Sequence, residues 1–257
     1  MWEALLLGVV QGLTEFLPVS STAHLILFPW FFNWSGPVDT LTFDIALHAG
    51  TLFALLLCFW KDWLDILLRR RRLLGLMFIA SLPAGVLGLL LNDIVERSLR
   101  RPLVISLSLV AVGIFMLISE KTGKKQKRVG DITFADAVII GFSQAVALIP
   151  GVSRSGITIS SGLFRGIERE ASARFSFLLS TPVIGGAVVL HTGKLISGHA
   201  AGYSPGLFAY GFAASAVTGF IAIKFLLHFL KSHPLNIFAH YRFLLAVVII
   251  AGIWLKG

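Results

Sequence analysis

Apolar runs separated by short loops dominate this chain, and they leave it few folds to choose from. Runs at 45–60, 73–91, 103–119, 175–190, 207–223 and 243–255 are spaced as a membrane-crossing chain requires; the last is short and draws on residues before Phe243. Only 14% of residues are charged, against about 25% in soluble domains. In lipid every backbone polar group must be satisfied within the chain, so such runs form helices. An all-α polytopic membrane protein follows, as a single integral domain over 1–257. Two further stretches, 2–32 and 132–164, are apolar but broken near their middles, at Pro18 and at Pro150-Gly151. Neither arm of 2–32 reaches the ~20 residues a span needs. Both stretches read as re-entrant hairpins that enter the membrane, break and return.

Charge orients the chain. The net charge of +9 comes from short clusters between apolar runs, at 61–72 and 120–128, rather than from a continuous basic face. That pattern marks cytoplasmic loops and anionic-lipid contact, and nucleic acid is excluded as a partner. The only cysteine, Cys58, rules out an intrachain disulfide. Met1-Trp2-Glu3 lacks the basic start of a cleaved signal peptide, so the N-terminus is expected to be retained.

The two halves resemble each other at a nearly constant offset. Gln11 aligns with Gln144, Phe43 to Leu47 with Phe175 to Leu179, and Ala80-Ser81 with Ala214-Ser215. With both basic loops inside, the first hairpin enters from outside and the second from the cytoplasm. The chain therefore reads as an inverted-topology repeat, about 1–128 and 129–257, each half a broken hairpin plus three transmembrane helices. Loop 191–206 carries only Lys194, as an outside loop should. Broken helices that meet at the midplane of such a repeat form a site for an anionic group. The glycine pairs Gly85/Gly88 and Gly185/Gly186 are expected to allow close helix packing.

The chemistry sits at the two breaks. An arginine at membrane depth costs several kcal/mol without a partner, so Arg154 is a functional candidate. Ser153 or Ser155 can cap the helix that resumes behind Gly151, and a new helix N-terminus beside a guanidinium suits a phosphate. Gln11 and Glu15 share one helix face, as do Ser21 and His24, and Arg154 and Thr158. One carboxylate, one imidazole, hydroxyls from Ser20, Ser21, Ser153, Ser155 and Thr158, and one guanidinium would converge on one cavity. Glu15 can hold a divalent cation, His24 can move a proton, and Ser21 can attack if activated, although direct attack by water is equally allowed. A purely structural Glu15–Arg154 pair would leave the hydroxyls and helix breaks unexplained. Asp44, His48 and His191, near span ends, read as interfacial or supporting residues, and Ser20, Ser155 and Thr158 also suit capping.

Glu15 to His24, preceded by Gln11, resembles the first signature of the bacterial undecaprenyl-diphosphate phosphatase family, the bacitracin-resistance type. Pro150 to Thr158 resembles its second, and the likeness covers essentially the whole chain. It implies hydrolysis of undecaprenyl diphosphate to the monophosphate with a Mg²⁺- or Ca²⁺-type cofactor, at a cavity open to the outer face of the cytoplasmic membrane. The family's carboxylate positions fall on Gln11 and Glu15, its serine and histidine on Ser21 and His24, and its arginine on Arg154, surrounded by Gly151, Ser153, Ser155 and Thr158. Glutamine stands at position 11 where many members have glutamate, so Gln11 is expected to bind substrate rather than act as an acid. Alanine stands at position 23 where many have glycine. The expected partners are a polyprenyl diphosphate and membrane lipids, with a homodimer left open.

Two other readings compete. A secondary transporter or lipid flippase would share the inverted-repeat architecture. The other common membrane lipid phosphatase pattern places a histidine six residues after its arginine, where this chain has Ser160, and is set aside.

Overall fold

The computed structural model describes residues 1–196 and 204–256. Loop 191–206, expected outside, lies partly beyond them. The described residues are helical: α1 (Trp2–Phe16), α2 (Ser21–Phe32), α3 (Leu41–Leu68), α4 (Arg71–Ile94), α5 (Pro102–Thr122), α6 (Phe134–Val146), α7 (Arg154–Phe164), α8 (Arg169–Ile196), α9 (Pro205–Phe229) and α10 (Asn236–Lys256). Six of them, α3, α4, α5, α8, α9 and α10, are long and apolar enough to cross a membrane. α10 begins at Asn236 and so takes in Tyr241 and Arg242, ahead of the apolar run that starts at Phe243. Large side chains on the outer surface, such as Leu89, Val189 and Trp254, are 72%, 74% and 85% exposed. A surface this apolar belongs in lipid rather than water.

The helices begin where local chemistry allows. Thr40 caps α3 by accepting from the Phe43 amide, at 3.2 Å. Thr133 and Asp136 form a reciprocal capping box on α6. Pro102 and Pro205 open α5 and α9, where a missing N–H costs nothing.

Of the four hairpin arms α7 is buried along most of its length, while α1, α2 and α6 keep an exposed apolar face that includes Leu5, Phe32 and Phe142. α1 packs on α9, α6 on α4, α7 between α5 and α8, and α10 on α5. Small residues set the closest approaches. A Cβ on Gly12 would lie 1.9 Å from Thr218 Oγ1, and one on Gly141 would lie 2.7 Å from the Ala80 carbonyl oxygen. Gly85 and Gly186, by contrast, have open space where a Cβ would be, and Gly88 and Gly185 have only ordinary contacts. The close packing expected at those four glycines is instead at Gly12 and Gly141 of the hairpin arms and at Gly50 and Gly113 of the spans, where a Cβ would lie 2.0 Å from Ser215 Oγ and 2.6 Å from Phe243.

Two buried acids fasten the ends of α5, α6, α7 and α8. Glu120 accepts from both Nε and Nη2 of Arg169, the latter at 2.8 Å, and from the Leu235 amide at 3.0 Å. Asp136 is fully buried and pairs with Lys127 at 3.0 Å and Arg165 at 2.8 Å. Lys125 also pairs with Glu120. Part of the basic loop 120–128 is thus held in ion pairs rather than left for lipid.

Candidate active site

Both hairpins break in the same way. The chain turns at Pro18-Val19-Ser20 and at Gly151-Val152-Ser153, and each serine has a positive φ, 79° and 67°. Each serine then caps the returning helix: Ser20 Oγ accepts from the Ala23 amide at 3.4 Å, and Ser153 Oγ from the Gly156 amide at 3.1 Å. A left-handed backbone at a non-glycine residue is costly and persists only where its surroundings hold it. Gly151, at φ +93°, sits where a Cβ would come 2.6 Å from the Ile105 carbonyl oxygen.

The holder is Arg242 of α10. Its guanidinium is fully buried and donates to five backbone carbonyls: Pro18 at 3.3 Å, Gly151 at 2.8 Å, Val152 at 3.1 Å, Ser108 at 3.3 Å and Leu109 at 3.2 Å. Three of these belong to the two breaks, so one side chain ties both hairpin tips to α5. Sequence reasoning passed over Arg242. The available signal was an arginine between Tyr241 and Phe243 in an apolar helix, by the same rule that singled out Arg154.

The tips meet through Glu15 and Arg154. Arg154 Nη2 donates to Glu15 Oε1 at 2.5 Å. Glu15 Oε2 accepts from Gln11 Nε2 at 3.0 Å and from Ser21 Oγ at 2.6 Å. His48 Nε2 lies 3.6 Å from the same oxygen, and its Nδ1 is 2.7 Å from the Asp44 carbonyl. Glu15, Ser20, Ser21, Ser153, Arg154 and His48 line a cavity of about 190 Å³. Its remaining wall is largely apolar, with Ala84 of α4 and Val183 and Ile184 of α8. Each of those stretches follows a proline inside its helix, Pro83 or Pro182, which removes a backbone donor and loosens the helix there.

The other expected residues lie apart from this cavity. His24 is buried, with Nδ1 2.7 Å from the Ser20 carbonyl and Nε2 2.8 Å from the Tyr241 hydroxyl. Both its nitrogens are engaged, and the imidazole beside the carboxylate is that of His48. Ser155 Oγ donates to the Leu17 carbonyl at 3.2 Å, linking one break to the other. Thr158 Oγ1 lies 2.7 Å from the Arg154 carbonyl and 2.6 Å from Ser176 Oγ, inside the bundle.

Several polar groups at the site are buried without a partner among the described residues: Gln11 Oε1, Gln144 Oε1 and Arg154 Nη1. An orphaned buried donor or acceptor costs about 1–3 kcal/mol, so these are places where a ligand would find ready partners. Among the described residues no group of three or more His, Cys, Asp or Glu side chains could hold a metal by itself. One carboxylate, a nearby imidazole, amide oxygens and hydroxyls fit a Mg²⁺-type cation that takes most of its ligands from phosphate and water.

Comparison with known proteins decides the family, since its model, bacitracin resistance protein BacA, matches residues 4–248. The chain belongs to the bacitracin resistance protein BacA family. An undecaprenyl-diphosphatase of Thermodesulfovibrio yellowstonii is 56% identical, covering 97% of this chain and 96% of the relative. Those of Desulforudis audaxviator and Moorella thermoacetica are 46% and 44% identical, over 100% and 99% of this chain and 99% and 98% of theirs. The segments Glu15 to His24 and Pro150 to Thr158, in which the sequence resemblance was read, are the two that meet across the Glu15–Arg154 pair.

Proposed function

We infer that this chain is a membrane phosphatase that hydrolyses undecaprenyl diphosphate to undecaprenyl monophosphate and phosphate, recycling the lipid carrier for cell-wall synthesis. The observation that carries this reading is the meeting of one carboxylate and one guanidinium from two separate helix breaks, lined by serines, in one cavity.

The residues have distinct tasks in it. Arg154, with Nη1 free of protein partners, would bind phosphate oxygens and stabilise charge on the transferred phosphoryl group. The cap on α7 aims its N-terminus at the same place, where backbone amides favour an anion. Ser21 Oγ already donates to Glu15, so the carboxylate stands where it would take that proton. Ser21 would then attack the terminal phosphorus and the phosphoanhydride bond would break, the monophosphate leaving with the bonding electron pair; water deprotonated beside Glu15 would next attack the phosphoserine, breaking the Ser21 Oγ–P bond and releasing phosphate. In direct attack, water takes the same place beside Glu15. Phosphate trapped covalently on Ser21 after an acid quench separates the two routes. Glu15, with Gln11 and Ser21 around it, would hold a Mg²⁺ or Ca²⁺ ion, which when bound supplies charge neutralisation to the diphosphate. Ser20, Ser153 and Ser155 shape the breaks that receive the diphosphate.

With the basic loops inside, the protein belongs in the cytoplasmic membrane. The wall residues His48, Ala84 and Val183 then fall in the outer halves of α3, α4 and α8, which supports a mouth on the extracytoplasmic side. A homodimer is compatible with this reading but not required, since one chain supplies every side chain of the site.

Phosphate release from undecaprenyl diphosphate by detergent-solubilised protein tests the reading. A transporter or flippase needs a sealed compartment and would release none. Glu15→Gln and Arg154→Gln should each lower turnover by about 10³-fold or more, on the scale of phosphoryl-transfer arginines. Full turnover in either variant, in a folded protein, would overturn the assignment.

A further inference from the structure

Away from the catalytic cavity, a second recess runs along the seam of α3 and α9. It has two connected parts. The polar part is a groove of about 630 Å³ lined by Lys61, Arg174, Lys224 and Trp60. The other part, about 280 Å³, is lined by apolar side chains alone, among them Phe53, Ala54, Val217 and Ile221. Leu57 and Phe220 line both. The recess shares no residue with the catalytic cavity.

Charge in the polar part is uneven. Asp62 is paired with Arg174 at 2.5 Å and Asp65 with Arg70 at 2.5 Å. Among the described residues Lys61 and Lys224 have no carboxylate partner, and they rest near aromatic faces, 5.3 Å from Trp60 and 5.6 Å from Phe220. Two uncompensated ammonium groups therefore face one groove at the helix ends that the basic loop 61–72 places in the cytoplasm. That is the side whose leaflet carries anionic lipid. Backbone geometry marks the junction as well. Phe59 departs from helical angles, at φ −110° and ψ 18°, between the turn that lines the apolar part and the turn that carries Lys61.

We propose that this recess is a binding site for one anionic phospholipid of the cytoplasmic leaflet. Its phosphate sits between Lys61 and Lys224, and an acyl chain lies along Leu57, Phe220 and Val217. Order along the helices decides for a lipid over free phosphate. On α3 the residues run from apolar Phe53 and Leu57 to basic Lys61, and on α9 from Val217 and Phe220 to Lys224. A lipid's tail and head follow that sequence from membrane interior to surface. Lysines that merely reach for water would need no apolar groove beneath them.

The test is native mass spectrometry of the full-length protein in detergent, titrated separately with phosphatidylglycerol and phosphatidylcholine. The wild type should retain phosphatidylglycerol well above phosphatidylcholine. The double variant Lys61→Gln/Lys224→Gln should bind phosphatidylglycerol about 30-fold more weakly, each lysine near an anionic lipid being worth about fivefold. Val217→Trp, which fills the apolar part without altering charge, should also release the lipid. Phosphate release at the catalytic cavity, measured on the same preparations, reports that each variant is folded. Equal retention of the two lipids by the wild type overturns the proposal, as does undiminished phosphatidylglycerol binding in the double variant. Undecaprenyl monophosphate displacing phosphatidylglycerol at equal concentration would overturn it too, by giving the groove to the prenyl phosphate.

Discussion

Glu15 has four neighbours competing for two oxygens, and its importance comes from that crowding. A buried pair is weak evidence of stability, because the Coulomb gain is largely offset by desolvation. Removing one partner is different, since it strands the other charge. Arg154→Met should therefore destabilise the protein by about 3–5 kcal/mol, while Glu15→Gln/Arg154→Met should recover most of that loss, both read from thermal unfolding in detergent. Activity should stay absent in both, which separates the chemical role of the pair from its structural one. Glu15, Ser21 and Arg154 were legible in the sequence because polar residues between apolar runs demand a reason. Sequence reasoning chose His24 over His48 to move a proton, because helical spacing says which face a side chain shares but not what stands opposite. Tyr241, 217 positions along the chain from His24, settles that. A double-mutant cycle of His24→Ala with Tyr241→Phe should show coupling of about 0.5–3 kcal/mol in the barrier to phosphate release, as for residues in direct contact. Strict additivity would mean that the hydrogen bond does not position His24.

Arg242 makes the hairpins depend on a distant helix. It holds carbonyls of Pro18, Gly151 and Val152 where both breaks leave the backbone unpaired. Arg242→Met keeps most of the side-chain length and removes every donor. With buried carbonyls orphaned at about 1–3 kcal/mol each, the variant should unfold at markedly lower temperature and lose turnover. Arg242→Lys, which can reach only some of the carbonyls, should fall between. Helix number and both hairpins were readable from apolar runs and prolines, whereas the guanidinium that binds them was not, because its partners are main-chain atoms that leave no mark in sequence. An inverted repeat is the arrangement we propose for the two halves, and corresponding contacts support it. Gly8 of α1 faces Ala214 of α9, while Gly141 of α6 faces Ala80 of α4. The breaks Pro18-Val19-Ser20 and Gly151-Val152-Ser153 also occupy equivalent places in the two halves. Glu15 has no acidic counterpart, because Leu148 stands at the matching position. Chemistry is thus concentrated in one half and the guanidinium in the other.

At the scale of the molecule, ion pairs at the span ends support the proposed entry of the two hairpins from opposite sides. Arg174 near the start of α8 pairs with Asp62 toward the end of α3, so these packed helices run antiparallel. Hairpin one leads into the start of α3 and hairpin two into the start of α8, which puts their entrances at opposite ends of the pair. Lys256 at the end of α10 donates to the Trp30 carbonyl and Arg100 pairs with Asp44, gathering one set of ends. Arg72 with Gly130 and Arg169 with Glu120 gather the other. In the orientation we propose, the cytoplasmic set is the one with the basic loops, as the positive-inside rule favours. Single cysteines in a Cys58→Ser background test this. Ser35→Cys lies in the exposed loop after hairpin one, and Gln126→Cys in the exposed basic loop before hairpin two. In intact cells a membrane-impermeant maleimide should label position 35 and leave position 126 unlabelled until the membrane is opened. Labelling of both positions from outside would remove the basis for opposite entry. Labelling of position 126 alone would turn the molecule over, carrying the mouth of the catalytic cavity to the cytoplasmic side and the lysine-lined groove to the outer leaflet.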